Sequence, residues 1–187
     1  MDGINGITGC YTIVVLSSLY FIDKNVVDFV QNNLIIYPII ASLVFLFFNF
    51  RKKAKCFAGD IGSISIAFWV LYLILKLMLA TNSVVWILFL TVYGIDTVCT
   101  IIHRLYLREN IFVAHRHHYY QILCNNLKID HRVVALLYAF LQLKVSIFVV
   151  FFHDKINIYI IFAVVIVPFI LIYLTKFLIL KKINRDK

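Results

Sequence analysis

Six long apolar runs divide this chain of 187 residues: about Thr8 to Ile22, Leu34 to Phe50, Ile61 to Ala80, Val84 to Ile102, Val133 to Phe152 and Ile156 to Leu180. Most reach the roughly 20 residues that carry a helix across a bilayer. With 63% hydrophobic and 14% charged residues and a mean hydropathy of +0.95, the chain cannot cover a water-soluble domain of this size with polar surface. It reads as one all-α domain over residues 1–187, a polytopic membrane helix bundle of about six transmembrane helices. The first run is short, so its helix is expected to begin nearer Ile4 unless the start of the chain has been trimmed. No basic leader or small-residue cleavage site precedes it, which excludes a signal peptide.

The net charge of +9 could suggest nucleic acid, but its distribution describes topology instead. Four Lys or Arg lie between Arg51 and Asp60, five between His103 and Arg132, and four from Lys181 onward, whereas the alternate connections hold only Lys24 and Lys155. Basic connections stay on the cytoplasmic side, which places both termini there and excludes a nucleic-acid partner as the reason for the charge. Lys76, Lys144 and Lys176 fall inside spans. Lys76 and Lys176, near span ends, are expected to snorkel. Lys144, at mid-span, is expected to pair inside the bundle or line a cavity. Pro38 and Pro168 are expected to kink their helices. The four cysteines, Cys10, Cys56, Cys99 and Cys124, show no paired spacing and read as packing residues.

Three carboxylates gather at the cytoplasmic ends of spans: Asp2, Asp60 and Asp96. Asp96 lies six residues before Ile102, about 9 Å into the membrane. Tyr93, Asp96, Thr100 and His103 form a polar stripe at helical spacing, which faces either a cavity or a neighbouring helix. Asp60 is either a helix cap or a ligand. The amides of Ile61, Gly62 and Ser63 at a helix start make an anion site, and Arg51, Lys52, Lys53 and Lys55 stand beside it. A carboxylate among such donors makes sense where a divalent cation bridges it to phosphate oxygens. The segment His103 to Gln121 carries Arg104, Arg108 and Arg116 with four histidines and suits phosphate binding through forked guanidinium donors. The rival readings are a solvated interfacial loop and zinc on His115, His117 and His118, although the spacing lacks a closed ligand set.

Four segments, MDGINGITG (Met1–Gly9), FAGDIGS (Phe57–Ser63), GIDTVCTIIHR (Gly94–Arg104) and NIFVAHRHHYYQ (Asn110–Gln121), resemble in order and spacing the polyprenyl-phosphate N-acetylhexosamine-1-phosphate transferases of glycosyltransferase family 4. The resemblance extends over about Met1 to Gln142. It implies transfer of a sugar 1-phosphate from a UDP-N-acetylhexosamine to polyprenyl (undecaprenyl) phosphate, releasing UMP, at the cytoplasmic face of a bacterial inner membrane. Magnesium (Mg2+) is the implied cofactor, on Asp60. Asp2 and Asn5 would line the nucleotide pocket, Asp96 would lie in the active cleft, and Arg116 and His118 would grip the diphosphate. Asp60, Asp96 and His118 are thus the expected catalytic residues, with Asp2, Asn5, Gly62, Ser63, Arg104 and Arg116 binding substrate.

Two features depart from the family pattern. Many members carry a His-x-His-His run where this chain has His118, Tyr119, Tyr120 and Gln121, which resembles the O-antigen branch more closely. The family also has ten or eleven spans and an adjacent aspartate pair in an early loop. The chain therefore resembles the C-terminal half of such an enzyme, with the N-terminal half expected either from a misplaced start or as a separately encoded partner. A transporter using Asp96 and Lys144 as a charged relay, or an inactive remnant of the transferase, are the alternatives.

Overall fold

The structure, a computed structural model, describes residues 3–110, 113 and 117–185, with side chains as far as Lys181. Among these the chain is helical throughout: α1 (Ile7–Asn25), α2 (Asn33–Asn49), α3 (Gly59–Thr81), a 3-10 segment (Val84–Leu90) that runs into α4 (Thr91–Tyr106), the short α5 (Tyr119–Asn125), α6 (His131–Phe152) and α7 (Ile158–Arg185). Each of the six apolar runs becomes helical. Four passes, Gly59–Thr81, Val84–Tyr106, His131–Phe152 and Ile158–Lys181, are long and apolar enough to cross a membrane, and α2 is a shorter apolar helix. The first helix begins at Ile7, not nearer Ile4.

α1 occupies the middle of the bundle, packed by α2, α3 and α6, with Val15, Leu16, Leu19 and Ile22 fully enclosed. A helix surrounded by protein can carry polar groups that lipid would reject, which accounts for Thr8, Tyr11 and Thr12 among its buried residues. The passes alternate in direction. The basic connection after α2, the loop between α4 and α6, and the last turns of α7 therefore share one end of the bundle, here called the basic end.

The fourth pass is not the uninterrupted α-helix that its apolar run suggests. It opens as a 3-10 segment, and the join at Leu88 to Val92 frees backbone groups that lipid cannot satisfy. Gln142 of α6, fully buried, supplies the partners: its Oε1 accepts from the Val92 amide at 3.2 Å, and its Nε2 donates to the Leu88 carbonyl at 3.2 Å. The Tyr11 hydroxyl bridges to the Phe89 carbonyl at 3.1 Å and to Gln142 Oε1 at 2.7 Å.

Two of the intramembrane lysines depart from expectation. Lys176 does not snorkel: it is fully buried, and its Nζ donates inward to the His117 carbonyl and, at 2.8 Å, to the Tyr173 hydroxyl. Lys144 does not turn into the bundle: it is exposed on the outer face of α6, its Nζ 4.6 Å from the Phe140 ring centroid. The proposed relay between Lys144 and buried Asp96 is therefore not built.

Candidate functional site

The segment before α1 is bent onto the basic loop by two asparagines. Asn49, at the end of α2, accepts from the Gly6 amide at 2.6 Å and donates to the Cys56 carbonyl at 2.7 Å. Asn5 donates through Nδ2 to the Arg51 carbonyl at 2.9 Å and the Lys52 carbonyl at 3.4 Å. Because the loop's carbonyls turn inward, Lys52, Lys53 and Lys55 are left exposed. Gly6 is required there: its φ is +85°, and a Cβ would lie 2.4 Å from the Phe50 ring. Asn5 is buried in this clasp.

The third helix starts at Gly59, earlier than the run from Ile61 implies, and Ala58 occupies the capping position. Asp60 is thus in the first turn rather than at the cap, and its side chain is exposed. The shift also corrects the expected anion site: the Gly62 amide already donates to the Ala58 carbonyl at 3.1 Å. Ser63 is buried in the second turn, its hydroxyl 3.3 Å from the Asp60 carbonyl, which accepts. Ser63 also lines a cavity of about 350 Å3 between α1, α3 and α4, opposite Thr8, Thr12, Tyr93 and Thr97.

Asp96 has a different setting. It is buried where α4, α5, α6 and α7 meet, and donors enclose it. Oδ1 accepts from the Tyr119 amide at 2.9 Å and from the Thr100 hydroxyl at 3.4 Å, with His118 Nδ1 at 3.5 Å. Oδ2 accepts from the Tyr138 hydroxyl at 2.9 Å and the Tyr120 amide at 3.5 Å. The carboxylate therefore closes the start of α5 and ties it to α6. The network continues from Thr100 to Tyr173 at 3.1 Å and from Tyr173 to Lys176. A cavity of about 370 Å3 opens beside it, lined by Asp96, Tyr119, Tyr138 and Tyr173 with apolar side chains around them.

The stripe on α4 ends in Arg104, not His103. Arg104 is buried and holds the following loop, donating through Nε to Glu109 at 3.1 Å and through Nη2 to the carbonyls of Asn110 at 2.5 Å and Val113 at 3.2 Å. His103 turns aside to pack edge-on to Phe177, with ring centroids 4.9 Å apart. His118 stacks on Tyr120, and Gln121 completes a capping box with it. Asp2, Arg116 and His115 lie outside the described residues.

The four sequence motifs meet at the basic end. A Cβ on Gly3 would lie 2.8 Å from both the Tyr120 hydroxyl and Gln121 Nε2, so the first motif presses on the fourth. Asp96 of the third motif bonds to the fourth as well. The second motif faces α1 and α4 across the Ser63 cavity. Asp60 and Asp96 share this end, while Asp2, the third acid expected there, lies outside the described residues; among the described residues no group of three or more His, Cys, Asp or Glu could hold a metal. Tyr138, Gln142, Tyr173 and Lys176 are site and support residues that the sequence reading missed. Their only signal is spacing, at i and i+4 for Tyr138 and Gln142 and at i and i+3 for Tyr173 and Lys176.

The fold defines a helical membrane protein whose motifs assemble at one end of the bundle. Residues 1–78 match the family model Glycosyl transferase family 4, the polyprenyl-phosphate sugar-1-phosphate transferases, in agreement with the family that the motifs resemble. The match takes in α1, α2 and most of α3. Comparison with curated proteins and with solved structures gave no match.

Proposed function

We propose that this chain takes part in transfer of an N-acetylhexosamine 1-phosphate from a UDP-sugar to polyprenyl phosphate, releasing UMP, at the cytoplasmic face of a bacterial inner membrane. The observation that carries the reading is the family match over residues 1–78, which includes Asp2, Asn5, Asp60, Gly62 and Ser63. The positive-inside distribution supports the orientation. Further helices bearing the aspartate pair, from an upstream segment or a separately encoded partner, complete the active unit.

In this reaction a lipid phosphate oxygen forms a bond to the phosphorus bearing the sugar, and the bond from that phosphorus to the UMP oxygen breaks. The chain's part is to position the two phosphates and offset their charge. Lys52, Lys53 and Lys55 are exposed on the loop that leads to the helix of Asp60, a loop tied down by the Asn5 and Asn49 clasp. Asp60 is the residue that would hold magnesium. One exposed carboxylate beside a cationic loop suits an ion that takes one or two carboxylates and fills its shell with water and phosphate oxygens. The ion, when bound, supplies charge neutralisation on the diphosphate. Asp96 acts at one remove, fixing His118 and the start of α5 near the nucleotide end, while Arg104 shapes the loop that carries Arg116.

The test uses membranes containing the chain with the front helices supplied, given UDP-N-acetylglucosamine and undecaprenyl phosphate. UMP release that depends on the lipid phosphate is expected. No UMP from that preparation, with UDP-N-acetylgalactosamine tried as well, overturns the transferase reading.

A further inference from the structure

We propose that the outer face of α1 and α6 around Lys144 receives a further transmembrane helix, from outside these 187 residues, that carries an Asp or Glu at mid-span. Lys144 is exposed on α6, and helical side chains lean toward the helix N-terminus. Its Nζ accordingly lies over Phe140, one turn back. Phe140 is nine residues from His131 and twelve from Phe152, so the ammonium sits about 13 Å from one end of the helix and about 18 Å from the other. It has leaned toward the middle of the span, away from the nearer interface, where snorkelling would take it. An ammonium at that depth in hydrocarbon is strongly disfavoured unless it is paired, and a carboxylate is its strongest partner.

The neighbouring surface is shaped for a helix rather than for acyl chains alone. A groove of about 310 Å3 runs between α1 and α6, with the hydroxyls of Ser17, Ser18 and Ser146 among Leu143, Ile147 and Phe151. Small polar residues of this kind line helix–helix contacts in membranes. A second copy of the chain cannot supply the charge. Its nine acids are Asp2, Asp23, Asp28, Asp60, Asp96, Glu109, Asp130, Asp154 and Asp186. Among the described residues only Asp96 lies deep in a pass, and it is buried and bonded. The partner is therefore a different helix with its own carboxylate. This inference does not rest on the transferase chemistry.

The test places the intact chain in phosphatidylcholine vesicles with a labelled leucine–alanine spanning helix that has one central Asp, or Leu at that position, and reads association by energy transfer. The Asp helix is expected to associate at least about tenfold more tightly than the Leu helix, and Lys144→Met to remove that difference. Because Lys144 is exposed, thermal unfolding of the variant should match the parent and verify its fold. Equal association of the two helices, or a preference for Asp that survives Lys144→Met, overturns the proposal. Self-association of the chain that disappears with Lys144→Met also overturns it, by assigning the face to a second copy.

Discussion

Asp96 and Asp60 lie at the same end of one bundle, on adjacent passes. Yet hydrogen-bond donors from the Tyr119 amide and the Thr100 and Tyr138 hydroxyls enclose the first, while the second is exposed in the first turn of α3. The difference follows from depth. An acid placed a turn and more inside a span has no water to solvate it and must be bonded by protein, so its most economical use is architectural. An acid in the first turn of its helix, beside a cationic loop, stays hydrated and is available to an incoming ligand. The closed corner organises, and the open shelf is left for chemistry.

The largest effect expected from breaking this contrast is at Asp96. Asp96→Ala leaves the Tyr138 hydroxyl and the Tyr119 amide without their acceptor and should destabilise the protein by about 3 kcal/mol or more, read as thermal unfolding in detergent. Gln142→Leu strips the Val92 amide of its acceptor at membrane depth, while the Leu88 carbonyl keeps its bonds from Thr91, and a loss of about 2 kcal/mol is expected in the same measurement. Tyr138→Phe removes one donor and leaves the rest of the corner, so a loss of about 1 kcal/mol should follow. If Tyr138→Phe cost as much as Asp96→Ala, the carboxylate would be held by one bond and the corner would not be the shared support described.

The smallest effect lies at another acid of the basic end, Asp130, which caps α6. The Arg132 side chain, and then its backbone amide, hold the Asp130 carboxyl down at about 2 from an ordinary 3.8. A depressed carboxyl contributes stability that is present above pH 3.8 and is lost as pH falls through about 2. A carboxyl carbon titration by NMR should show a midpoint near 2, and Arg132→Gln should move it up toward the ordinary range.

The architecture was legible because hydropathy fixes which runs become helices and charge marks which connections share an end of the bundle. Both are properties of long segments that survive any detail of packing. The stripe on α4 was legible too, since helical spacing puts Asp96 and Thr100 on one face. What faces that stripe was not. Tyr138, Tyr173 and Lys176 are single polar residues in apolar helices, and nothing local fixes the rotation or depth at which α6 and α7 pack on α4. Lys144 misled for the same reason: depth was readable, but the face it takes on α6 depends on neighbours. The anion site assigned to Gly62 and Ser63 failed on a boundary. A helix start two residues earlier takes the Gly62 amide into an intrahelical bond.

Asp60→Asn gives the most direct reading of the division between the two acids, measured both as thermal unfolding and as UMP release from membranes in which the front helices are present. Stability within about 0.5 kcal/mol of the parent is expected, because an exposed first-turn side chain holds nothing together, and UMP release should be abolished. Undiminished UMP release, or unfolding as deep as that of Asp96→Ala, would contradict the account.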